Sequence, residues 1–138
     1  LYWKKQKSIA TGILGQRLKQ LIDAQINLLS YHLPLDCHSV VGNNAQIGKV
    51  LSLSQVAPID TVAPSGILYT GTYHGLKSEL FKHIEQLHPH STRIYDFGPE
   101  HDTLKILWCS GAGADFMESE PCDIFITSEP CSSRTLGK

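Results

Sequence analysis

The sequence predicts an α/β fold, a mostly parallel sheet flanked by helices. Three observations lead there. Strand-like and helix-like segments alternate along the 138 residues. Apolar residues make up 41% of the chain and charged residues 18%, enough apolar side chains for a buried core. Short apolar runs also end abruptly near Pro or Gly, as buried strands do: Ile26–Tyr31 before Pro34, and Leu104–Cys109 before Gly111. The length suits one domain, with a subdomain break expected in the Pro-containing stretch 52–65.

The elements follow in order. Leu1-Tyr-Trp-Lys-Lys5 reads as loop. Between Ser8 and Gln25, Ile13, Leu14, Leu18, Leu21 and Ile22 recur at spacings of three and four, an apolar helical stripe. Gly12 and Gly15 weaken its first turn, so the helix is expected from about Leu14 to Ala24. Ile26–Tyr31 reads as a buried strand. Asn43–Leu51 reads as a second helix, with Asn43 or Asn44 as its N-cap and Ala45, Ile47, Val50 and Leu51 as its apolar face. Residues 52–65 read as loop, and Gly66–Thr72 as a strand. Leu76, Leu80, Phe81, Ile84 and Leu87 keep a helical period that His88-Pro89 closes. Arg93–Phe97 reads as a short strand and Leu104–Cys109 as a strongly buried one. Ala114–Ser119 reads as a short helix and Asp123–Thr127 as the last strand.

Composition narrows the function. A net charge of −1 gives no basic surface for gathering phosphate backbone, so nucleic-acid binding has no support in this stretch. No apolar run is long enough for a membrane span, and no signal peptide is visible. The four cysteines, Cys37, Cys109, Cys122 and Cys131, form no Cys-x-x-Cys pair, so the zinc-ribbon pattern is absent. Reduced thiols in a cytoplasm are the expectation. The first residue is Leu and the only methionine is Met117, which reads as a fragment, a processed product or a chain with its ends removed.

Chemistry concentrates in His32-Leu-Pro-Leu-Asp36-Cys-His38, just past the expected strand end, where α/β folds place their sites. Pro34 stiffens the turn, so His32 and Asp36 can converge. A carboxylate with an imidazole suits zinc, manganese or iron. The plainer alternative gives His32 one hydrogen bond, makes Asp36 a cap and leaves His38 on the surface. Two residues do not close a metal site, which usually needs three or more protein ligands. Gly42-Asn43-Asn44 reads as a turn and cap before it reads as an anion site. Ser110-Gly111-Ala112-Gly113 opens a tight strand-to-helix turn. It lacks the third glycine of a dinucleotide fingerprint, since Phe116 holds that position, and it lacks the Lys-Ser/Thr of a P-loop. Cys109 reads as inert packing. His83, His88 and His90 gather at a helix end, which favours imidazolium. Glu129 follows the last strand and is a minor site candidate.

His32-Leu-Pro-Leu-Asp36 followed by Gly42-Asn43-Asn44-Ala45 resembles the signature of the Ngg-interacting-factor-three-like family, often described as GTP cyclohydrolase one type two homologues. "YWKK" and "GQRLKQLI" before it, and "LKILWCSGAGADF" and "DIFITSE" after it, agree in order. The resemblance implies a two-lobed α/β protein, of which this chain is a central, partial domain. It implies assembly into a hexameric ring with two divalent metals facing the interior. Asp36 then maps to a metal ligand, and His32 to a ligand or the support of one. A His-His pair before this stretch and a late His-x-x-x-Glu pair would supply the remaining ligands. The implied activity is a metal-dependent hydrolase acting on a small molecule through metal-activated water. The alternative is a non-enzymatic ring-forming scaffold or metal carrier. Nothing in these residues specifies guanine or triphosphate.

Overall fold

The computed structural model describes residues 10–128. They fall into two compact units, one ending at Tyr31 and one beginning at His32. The expectations placed on Leu1–Lys5, Cys131 and Glu129 lie outside the described residues.

The first unit is helix α1, Gly12–Asp23, and the segment after it. The helix begins two residues earlier than its glycines suggested. It ends in a Schellman arrangement: Gln25 takes a left-handed φ of 52°, its N–H donates to the Ile22 carbonyl, and the Ile26 N–H donates to that of Leu21 at 2.9 Å. Leu18, Leu21 and Ile22 then line an apolar groove with Ile26, Leu28 and Leu29. Ile26–Tyr31 is not a strand. It has no regular structure, and Leu29 and Tyr31 are 77% and 73% exposed. A strand exists only through ladder hydrogen bonds to a neighbour, and none reach this segment among the described residues.

The second unit begins with a single turn α2, Leu33–Asp36, then helix α3, Asn43–Val50. Strand β1, Ser54–Pro58, and strand β2, Tyr69–His74, follow. Helix α4, Lys77–Leu87, leads to strand β3, Thr103–Cys109. A 3-10 turn, Ala114–Phe116, precedes strand β4, Ile124–Thr127. The sheet order is β1-β2-β3-β4. Only β3 and β4 run parallel; β1–β2 and β2–β3 are antiparallel, so the sheet is mixed rather than mostly parallel.

The reason lies in the connections. A helix between two strands implies a parallel pair only if the chain then enters at the opposite end of the sheet. Here α4 runs away from the end of β2 and the segment 88–102 brings the chain back. Thr103 therefore pairs with His74, and the Gly75 N–H donates to the Asp102 carbonyl at 2.9 Å. That returning segment contains Arg93–Phe97, which forms no strand. Strand β1 lies inside the stretch expected to be loop. Its register slips between Ser54 and Ala57, where Gln55 takes a φ of 52°. A bulged, largely exposed edge strand lacks the clean alternation that identifies strands in sequence.

Strand β3 carries the core. Leu104, Ile106 and Trp108 face one side of the sheet with Tyr69, Leu80, Ala45 and Leu51. Leu107 and Cys109 face the other with Ile59, Ile67 and Leu68. Burial on both faces explains why its sequence is a continuous apolar run. Trp108 pairs with Tyr69 across the ladder, with ring centroids 5.7 Å apart. Gly48 and Gly71 leave room for its ring; a Cβ on either would come within 3.1 or 3.2 Å of it.

The returning segment is tied down by a buried lysine. Lys77, 7% exposed, donates to Asp96 Oδ1 at 2.7 Å, to the Gly98 carbonyl at 2.6 Å and to that of Pro99 at 3.3 Å. The Lys77 hydrogen bond holds the Asp96 carboxyl below its ordinary value of 3.8, partly offset by desolvation. A depressed folded value adds stability above pH 3.8, lost as pH falls through the folded value. Asp96→Asn is therefore expected to unfold at lower urea than wild type near neutral pH. The gap should narrow as pH falls below about 3.8, which urea midpoints measured across the acid range would check.

Candidate functional site

The site is built where α2, the start of α3 and the end of β3 converge. Pro34 sits in the first turn of α2, where its missing N–H costs nothing, and the turn closes with the Asp36 N–H donating to the His32 carbonyl at 3.1 Å. That places His32 and Asp36 one turn apart, with His32 Nε2 3.5 Å from Asp36 Oδ2. Asp36 is 7% exposed, whereas the His32 side chain is 53% exposed. The expected convergence of these two residues holds.

His38 does not join them. Its Nδ1 accepts from the backbone N–H groups of Val40 and Val41 at 3.1 and 3.3 Å, closing a local turn. The N-cap of α3 is Gly42, and neither Asn43 nor Asn44 caps the helix with its side chain. Gly42 is needed for close approach: a Cβ there would collide with the carbonyl oxygens of His38 and Leu35.

The two asparagines instead build the site. Asn43 Nδ2 donates to Asp36 Oδ1 at 2.6 Å. Asn44 is fully buried. Its Nδ2 donates to the Gly66 and Ile67 carbonyls, both at 3.0 Å, and its Oδ1 accepts the Ser110 N–H at 2.7 Å. Its own carbonyl accepts the Trp108 indole N–H at 2.9 Å. With its backbone fixed, Ser110 donates its hydroxyl to Asp36 Oδ1 at 3.1 Å. Gly66 completes the wall with a φ of +86°; a Cβ there would come within 2.6 Å of the Cys37 carbonyl oxygen.

Asp36 thus has two uncharged donors on one oxygen, and no Lys or Arg pairs with it among the described residues. Burial pushes the neighbouring Cys37 thiol up, and the charge of Asp36 adds to this, with a smaller push from Cys109. Both effects disfavour a thiolate ligand at this point. The Gly111–Gly113 turn is held by its own sheet. Thr127 Oγ1 donates to the Gly111 carbonyl at 2.8 Å and accepts the Gly113 N–H at 3.1 Å, so that N–H is already used. The helix expected at 114–119 is only the 3-10 turn.

Ser110 and Asn43 were not legible as partners of Asp36, nor Asn44 as the anchor of Ser110. Ser110 lies 74 residues from it, and the asparagines matched the common cap pattern. The donor chemistry fits part of a metal site: one buried carboxylate with an imidazole beside it. Among the described residues no group of three or more His, Cys, Asp or Glu side chains completes it.

Comparison with known proteins shows the family. The family model described as Duf34/NIF3 (NGG1p interacting factor 3) matches residues 1–135, so the chain belongs to that family. A protein named GTP cyclohydrolase 1 type 2 homolog from Escherichia coli K12 is 37% identical over 132 residues, covering 93% of this chain and 52% of the relative. The protein of that name from Buchnera aphidicola subsp. Baizongia pistaciae is 35% identical, covering 94% and 52%. Among solved structures, a structural-genomics protein of unknown function, ybgI, superposes with a TM-score of 0.71 at 30% identity, covering 99% of this chain and 55% of that one. The chain spans about half the length of the curated relatives it matches. No described helix is long and apolar enough to cross a membrane.

The buried Asn44 amide ties α3 to the entry of β2 and the exit of β3. Asn44→Ala is expected to cost roughly 2–4 kcal/mol, because it leaves two carbonyls and one N–H without their partner in a closed interior. Urea unfolding would measure it; a loss below about 0.5 kcal/mol, the low end for a single hydrogen bond, would show that the amide is replaceable.

Proposed function

We propose that this chain contributes Asp36, with His32 beside it, to a divalent-metal site, and that the whole protein is a metal-dependent hydrolase. The observation that supports this is the state of Asp36. A carboxylate 7% exposed, held on one oxygen by two neutral donors and faced by the His32 ring at 3.5 Å, has no described Lys or Arg beside it. Buried carboxylates are paired or coordinate metals. Zinc, manganese and iron all accept a carboxylate–imidazole pair.

Such an ion supplies Lewis-acid activation of water near neutral pH. The chain's own residues fix the carboxylate and place His32 at the rim, where a half-exposed imidazole can ligate or orient Asp36. On this reading the remaining ligands come from other parts of the full-length protein; the chain covers 52% of the curated relatives. The hexameric ring and the small-molecule substrate form part of the same proposal.

Asp36→Asn preserves size and removes the charge. It is expected to weaken manganese(II) or zinc(II) binding by at least tenfold, measured by calorimetry and metal content of the full-length protein. Full-length protein purified without chelator and carrying no metal would sink the reading. Metal binding through Asp36 with no turnover of phosphoester or cyclic-amide substrates would favour a carrier over a hydrolase.

A further inference from the structure

We propose that the cleft between α3 and the edge strand β1 binds a small monocarboxylate, with Lys49 holding the carboxylate and the Tyr69 hydroxyl donating to an acceptor at the ligand's buried end. The cleft uses neither Asp36 nor His32, so the proposal is independent of the metal reading.

The cleft follows from small residues. Helix α3 buries Asn44, Ala45 and Gly48. The Trp108 ring and the Val56 side chain both lie against Gly48. Across the sheet Trp108 pairs with Tyr69, and Tyr69 with Pro58, so these three side chains share one face. Towards the sheet edge, Ala45, Leu53, Val56, Pro58 and Tyr69 line a cleft of about 370 Å³ with Lys49 beside them. Small-molecule sites run from roughly 300 to 1,000 Å³.

Two polar groups stand in this apolar lining. Tyr69 is 3% exposed and its ring packs on Trp108, but its hydroxyl makes no hydrogen bond among the described residues. No sealed side-chain oxygen among those residues lacks a partner, so solvent reaches the hydroxyl, and the cleft is where Tyr69 meets it. Burial raises the pKa of this phenol, with a smaller push from Cys37, so it stays protonated and offers a donor. The exposed Lys49 ammonium donates to the Val40 carbonyl at 3.1 Å, which Gln46 also reaches. That leaves two of its three N–H groups. No carboxylate pairs with it among the described residues. A buried neutral donor, apolar walls and a cation at the mouth specify a short apolar body with an acceptor at one end and one carboxylate at the other.

The probe is para-hydroxybenzoate, set against benzoate, which lacks the inner acceptor, and para-hydroxybenzamide, which lacks the charge. Each is titrated into the full-length protein and followed by saturation-transfer NMR. A Kd of about 1 mM is expected for para-hydroxybenzoate, ordinary for a ligand of its size. Lys49→Gln should weaken both acids about fivefold, as an exposed ion pair allows, and leave the amide unchanged. Tyr69→Phe keeps the packed ring and removes the donor. It should weaken para-hydroxybenzoate roughly three- to tenfold, the worth of one hydrogen bond between uncharged groups, and leave benzoate unchanged. Chelator-treated protein should bind the acids as tightly as untreated protein. The proposal is overturned if wild type binds neither acid up to about 10 mM, an order of magnitude above the expected Kd. It is overturned equally if Lys49→Gln binds both acids as wild type does, or if Tyr69→Phe does not separate para-hydroxybenzoate from benzoate. Loss of binding on chelation would put the carboxylate on a metal, overturning this proposal and leaving the metal reading standing.

Discussion

A primary amide sealed from water must find its partners inside the protein, and the Asn44 amide finds them on two other segments. Its NH₂ takes two carbonyls at the entry to β2, and its oxygen takes the Ser110 N–H at the exit from β3. Its carbonyl takes the indole of Trp108, the largest fully buried side chain. These bonds are geometric demands rather than a general preference for burial. They fix how α3 lies over β2 and β3, and so where the first residue of α3 and the first residue after β3 can meet.

That meeting point is Asp36. Asn43 and Ser110 are the neighbours of the clasp on either side, and both reach the same carboxylate oxygen. The core and the site are thus one construction: the residue pair that locks the helix to the sheet also sets the donors around the acid. The two side chains that donate to Asp36 Oδ1 are uncharged. This separates Asp36 from Asp96, whose charge is matched directly by Lys77 and whose carboxyl is lowered as a result.

Much of the chain was legible before the fold was known. The stripe Leu14–Leu18–Leu21–Ile22 located α1, the period from Leu80 to Leu87 located α4, and the run Leu104–Cys109 located the central strand. These readings rest on local periodicity, which the chain carries in itself. The convergence of His32 and Asp36 was read from the stiff Pro34 turn; a helical turn brings it about, and no strand precedes it. Ile26–Tyr31 failed because apolar character signals burial or pairing without saying which partner supplies it. β1 was missed because an exposed, bulged edge strand has no period to read.

The sequence by itself determined the family, the helices α1, α3 and α4, the central strand and the His–Asp pair, all through short-range spacing. Only the tertiary structure decided strand direction, because direction depends on which end of the sheet the chain returns to after α4. It alone decided that an apparent cap residue, Asn43, and a turn serine, Ser110, both reach Asp36. Those contacts join residues 7 and 74 positions away, and no local pattern encodes a hydrogen bond closed by folding across such a distance.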